Sequence, residues 1–209
     1  MIGIHRILYR SGLSLILLAC AAQGHSQPTC VADPLNVRIE RQLAEAARGL
    51  KLDPARLRFQ ACPGRRFATA MAGTIITISY PAGTRTFPQV LGALTHELAH
   101  AYQLSRAGSM EALRSQLGGS IERIELGADF LAGFLIRHHI SGASRADFQA
   151  SIELVGAYDD LSGASHGTPE ERSAAFRTGY YYQGPGDDVD AANRYFQRDG
   201  FGLIKAQTK

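Results

Sequence analysis

Residues 95–100 read Thr95-His96-Glu97-Leu98-Ala99-His100, a His-Glu-x-x-His arrangement inside a stretch, Gln89 to Ser105, that carries Leu91, Leu94, Leu98 and Ala101 at roughly helical spacing. Residues four apart on a helix share one face, a single turn from each other, so His96 and His100 would offer two imidazole nitrogens to one ion. The apolar stripe would lie on the opposite side of the same helix. Glu97 directly follows His96, which suits its carboxylate to a water beside the metal rather than to the metal itself. The spacing therefore predicts Zn2+ as cofactor, His96 and His100 as ligands and Glu97 as general base.

A zinc site needs a third protein ligand. The next helical stretch, about Ser120 to His138, places Glu122, Glu125 and Asp129 near one face, among Ile121, Ile124, Leu126, Phe130, Leu131, Phe134 and Leu135. Much of that helix must be buried, and a buried carboxylate requires a partner. The residues alone leave the choice among the three acids open.

Further along stands Ser165-His166-Gly167-Thr168-Pro169-Glu170-Glu171-Arg172. Thr168 is a good N-cap, Pro169 suits the first helical position and Glu171 completes a capping box, so a helix is predicted from Pro169 to about Tyr182. His166 then lies in a loop just before a helix, a place from which a side chain can reach into a cleft. By contrast His138 and His139, after Arg137, read as cationic residues at a helix C-terminus, and Tyr180, Tyr181 and Tyr182 as cover for the core.

Upstream, Asp33-Pro34 opens a helix in which Leu35, Val37, Ile39, Leu43, Ala46 and Leu50 recur. Three short strands follow, Arg56 to Ala61, Phe67 to Ala72 and Thr74 to Tyr80, punctuated by Gly64 and Gly73. Further helices are expected from Ala146 to Ala157 and, briefly, from Asp187 to Phe196. The fold class is α+β, a small antiparallel sheet packed beside a mostly helical core that carries the site.

With 209 residues, 45% hydrophobic and 20% charged, the chain suits one globular domain. Arg6 and Arg10 precede the apolar run Leu13 to Ala22, which is short for a membrane span and reads as a signal segment over residues 1–26, leaving 27–209 as the domain. Ala22 and Gly24 offer a small-residue cleavage site. Leu17-Leu18-Ala19-Cys20 resembles a bacterial lipobox, which would give a lipid anchor through Cys20. Export to the periplasm, the outer membrane as a lipoprotein, or the medium is expected. Setting Cys20 aside leaves Cys30 and Cys62, predicted to form a disulfide whose loop of about 33 residues would contribute roughly 3 to 4 kcal/mol. The formal charge is +3. Without Arg6 and Arg10 it is near neutral, and nothing suggests nucleic acid.

Glu125-Leu126-Gly127-Ala128-Asp129, coming after the His-Glu-x-x-His helix, resembles the gluzincin pattern of zinc metallopeptidases, Glu-x-x-x-Asp on a second helix. The block from Ser165 to Arg172 resembles one that follows the zinc ligands in bacterial neutral zinc metallopeptidases, and the likeness spans about Phe67 to Gly179. The resemblance implies a compact zincin-like domain in which Glu125 is the third ligand and Asp129 hydrogen-bonds His96. It implies a zinc-dependent endopeptidase acting on a peptide or unfolded protein through a zinc-bound water. In that reading His166 donates to the developing oxyanion and Arg172 holds the His166 loop. Its rival is a catalytically idle protein of the same fold that binds a peptide or an envelope partner.

Overall fold

The amphipathic helix α1 (Pro34–Gly49) carries Leu43, Ala46 and Ala47 into the core, followed at once by Leu50. Lys51 ends it with a left-handed φ of 56°, and a short 3-10 turn at Pro54–Arg56, capped by Asp53, leads into the sheet. The computed structural model describes residues 34–62, 67–81, 87–140, 144–146 and 166–209. The signal segment with Cys20, the Cys30–Cys62 pairing and most of the helix expected from Ala146 to Ala157 lie outside the described residues and side chains.

Strands β1 (Leu57–Cys62), β2 (Ala68–Ala72) and β3 (Ile75–Pro81) form one sheet in the order β1-β3-β2. β2 and β3 make an antiparallel hairpin in which Ala72 faces Ile75 across a two-residue loop, and Gly73 supplies the positive φ of 58° that the loop requires. β1, however, pairs with β3 in parallel, from Leu57 opposite Ile76 to Cys62 opposite Pro81. The sheet is therefore mixed, not antiparallel as expected. The reason lies in β3, whose alternation buries Ile76, Ile78 and Tyr80, whereas no β2 residue is fully buried. The strand with the deepest apolar face takes the centre and separates two strands that are neighbours in sequence.

Helix α2 (Phe87–Ala107) packs between this sheet and α4 (Ile121–His138), with α3 (Met110–Gln116) joining them. From Ala93 to Ala99 every α2 residue is buried, so the apolar stripe expected on one side is part of a helix enclosed almost all round. Beyond α4 lies α5 (Pro169–Tyr180), whose Thr168–Glu171 capping box forms as the sequence predicts. Helix α6 (Val189–Tyr195) runs through a π turn at Phe196–Gly200 into α7 (Phe201–Gln207), well beyond the short segment expected.

Two glycines fix how close α4 and α5 come. A Cβ on Gly179 would sit 1.8 Å from the Phe130 carbonyl oxygen, and one on Gly133 would sit 2.1 Å from that of Phe176. The two backbones thus touch directly, which only residues without a side chain allow. Among the described residues no helix is long and apolar enough to cross a membrane.

Candidate metal centre

The enclosure of α2 brings its polar residues inside: His96 is 3% exposed and Glu97 6%. One turn apart, the two imidazoles meet edge to face, their ring centres 4.6 Å apart. From α4, Glu125 advances one carboxylate oxygen between them. Oε2 lies 3.3 Å from His96 Nε2 and 3.5 Å from His100 Nε2. One donor atom from each of these three residues falls within 4.8 Å of the others, close enough to surround one metal ion. Glu122, the other acid open to choice, instead accepts from Lys205 at 2.9 Å.

Asp129, one turn beyond Glu125, is fully buried and its Oδ1 stands 2.7 Å from His96 Nδ1. That carboxylate accepts the Nδ1 proton and leaves the Nε2 lone pair free to face Glu125 and the centre. Arg172 from α5 forks the same carboxylate, Nε to Oδ2 at 2.8 Å and Nη2 to Oδ1 at 3.1 Å. The sequence reading gave Arg172 the task of holding the His166 loop. These two bonds give it a hold on Asp129 that spacing did not suggest. His166 itself enters from the turn before α5, with Nδ1 3.6 Å from Glu125 Oε2 and the side chain about a third exposed. All seven residues that the sequence reading assigned to the metal centre therefore fall within the described structure, and six of them connect directly through contacts on Glu125 or Asp129.

The seventh, Glu97, is held from the sheet. Thr69 Oγ1 on β2 lies 2.6 Å from Glu97 Oε2 and 2.8 Å from the Glu97 carbonyl oxygen, so its single proton is shared between two acceptors of one residue. Sequence reasoning missed Thr69, because nothing local marks a strand threonine as the neighbour of a helix carboxylate. Missed too was Gln103, whose Oε1 stands 2.9 Å from His100 Nδ1. Its signal was available in the three-residue spacing from His100, which places both on one helix face.

The electrostatics of the cluster invite positive charge. Burial by itself would push His96 down, but the Asp129 carboxylate and the Glu125 hydrogen bond overcome it and hold the imidazole up at about 10. His100 is likewise raised against its burial, chiefly by Glu125 and with help from Glu97. Burial opposes ionisation of Glu125 and Asp129, yet His100 holds Glu125 well below the usual carboxylate range, and Arg172, then His96, hold Asp129 down. Arg172 pairs with Asp129, so with the imidazoles neutral the Glu125 carboxylate has no cation to balance it among these residues. A metal ion held by His96, His100 and Glu125 would supply the positive charge that protons otherwise have to.

Fold and site together define a candidate mononuclear metal centre, two histidines and a glutamate on an α+β scaffold. Comparison with models of protein families, with curated proteins and with solved structures finds no match to this chain.

Proposed function

We propose that the chain is a zinc-dependent endopeptidase with a compact zincin-like domain, acting on peptides or unfolded proteins. The observation that carries this reading is the meeting of His96, His100 and Glu125 within 4.8 Å, with Glu97 on the same helix between the two histidines. Two imidazoles and one carboxylate suit zinc and leave a position open, as a hydrolytic site needs. Zinc bound there would polarise a carbonyl and lower the pKa of a water.

The chain's own residues supply the rest. Thr69 holds Glu97 Oε2 at 2.6 Å, which leaves Oε1 to take a proton from the attacking water and pass it to the departing amine. His166, standing near the ligands and partly exposed, is placed to donate to the oxyanion of the tetrahedral intermediate. Asp129 keeps the His96 proton on Nδ1, and Arg172 keeps Asp129 ionised. β2 stands at the edge of the sheet, and its Thr69 touches Glu97, so an extended peptide added to that edge would run past the base. Export belongs to the same proposal, since the segment from Arg6 to Ala22 has the form of a signal.

The test is the Glu97→Gln variant of the purified protein, assayed for metal content and for cleavage of an unfolded protein with and without chelator. Zinc should stay bound at one per chain while cleavage drops by orders of magnitude. An unchanged rate in the variant, or full activity after verified zinc removal, would refute the proposal.

A further inference from the structure

Gln103 is 94% buried, at 6% exposure, and spends both ends of its amide on the metal centre. Its Nε2 donates to the backbone carbonyl oxygen of Ile124 at 3.0 Å. A carbonyl can only accept, so this bond decides which way the amide points and turns Oε1 toward His100. Oε1 can only accept as well. At 2.9 Å it therefore requires the proton of His100 on Nδ1 and leaves the Nε2 lone pair facing Glu125. Ile124 directly precedes Glu125, so one amide grips a ligand on α2 and the peptide next to a ligand on α4.

The surroundings are shaped to this amide. A Cβ on Gly127 would lie 2.9 Å from Gln103 Nε2 and 2.9 Å from Phe196 Cε1, so the absence of a side chain there makes its seat. On another side Gln103 lines a cleft of about 400 Å3 bounded by Tyr102, Arg106, Leu113 and Asp190. A truncated side chain would admit water, which can stand in for an amide. Leucine fills the space and offers neither donor nor acceptor.

We infer that Gln103 is a positioning residue of the metal centre: it sets the tautomer of His100 and keeps His100 and Glu125 in register. The inference rests on the metal-site reading. His96 receives the corresponding service from Asp129, and Gln103 does it for His100 with a neutral group whose direction is imposed by a main-chain carbonyl.

The experiment strips the full chain of metal and titrates Zn2+ against a chromophoric chelator, then records the visible spectrum of the Co2+ form, which reports coordination geometry. Gln103→Leu should weaken Zn2+ binding about 10- to 100-fold and alter the Co2+ bands. Gln103→Glu keeps an acceptor for His100 and should lose less than the leucine variant. Gly127→Ala removes no polar group but crowds Nε2, and should shift the Co2+ spectrum in the same direction as leucine. Asn193→Ala, in the same cleft, should leave both readouts alone. Should leucine prevent folding, judged by circular dichroism, the Gly127→Ala and Gln103→Glu variants carry the test. Zn2+ affinity and Co2+ spectra unchanged in every folded variant would overturn the inference while leaving the metal centre intact. A wild-type chain that binds neither ion would overturn both.

Discussion

Removing the guanidinium of Arg172 should destabilise the framework of the candidate metal centre, before any metal is considered. Asp129 is 0% exposed and Arg172 2%, and two charge-assisted hydrogen bonds of 2.8 and 3.1 Å join them. In Arg172→Leu the carboxylate keeps, among the described residues, only His96 as a charged partner, and must either stay ionised in an apolar site or take up a proton. Breaking one half of a buried pair costs about 3 to 5 kcal/mol, because the other half is left uncompensated. Against a typical domain stability of about 5 to 15 kcal/mol that is a large fraction. Asp129→Leu should also destabilise, because it takes away the carboxylate that accepts two hydrogen bonds from Arg172. The double variant removes both charges, so its loss should fall short of the sum of the singles by at least about 1 kcal/mol. Urea denaturation in the presence of chelator measures all three without any contribution from metal binding. Single losses that simply add in the double variant, or an Arg172→Leu loss under about 1 kcal/mol, would refute the view that Asp129 is held ionised by Arg172.

Two further outcomes follow from contacts other than the Asp129–Arg172 pair. Gly179→Ala drives a methyl into the Phe130 carbonyl 1.8 Å away, and since backbone cannot rotate aside as a side chain can, the variant should lose at least about 1 to 3 kcal/mol in urea denaturation. Asp190 accepts from Lys51 at 2.6 Å, Tyr102 at 2.7 Å and Arg106 at 2.7 Å; burial works against its charge, but these donors, Lys51 foremost, hold the carboxyl below its ordinary value. Its contribution to stability should be complete above about pH 3.9 and fade as the pH drops through the lower folded value, so Asp190→Asn should flatten the acid limb of a stability-against-pH curve.

The parts of the site that the sequence made legible are those that one helix carries by itself. His96 and His100, or Glu125 and Asp129, share a face because of a period that chain chemistry imposes, and the Thr168–Glu171 box is a local exchange of hydrogen bonds. The β2–β3 hairpin was equally local, announced by Gly73. What stayed hidden was decided across the fold. β1 pairs in parallel with β3 because the strand with the deepest apolar face claims the centre, a comparison among strands rather than a property of any one. Thr69 reaches Glu97 from 28 positions away, and Arg172 reaches Asp129 from 43. Helix α3 was missed although Ser109 caps it by accepting from Ala112, because its seven residues are too few to display a period.

The glycine contacts and the charged contacts lie along one seam, and the first govern the second. Along α4, Asp129 is followed by Phe130 and Gly133. Along α5, Arg172 is followed by Phe176 and Gly179. Phe130 meets Gly179, Gly133 meets Phe176, and Asp129 meets Arg172 at the end of the seam nearest His166. An arginine fork at 2.8 and 3.1 Å tolerates little separation, and a methyl forced between the backbones would push α5 outward against those bonds. The same displacement would draw His166, at the start of α5, away from Glu125. Direct backbone contact a turn or two from the metal centre thus sets the position of the guanidinium, hence the charge state of Asp129 and the tautomer of His96. Stability at this seam is thereby coupled to the geometry of the candidate metal centre, so a variant that eases the helices apart should lose metal affinity with His96, His100 and Glu125 unchanged.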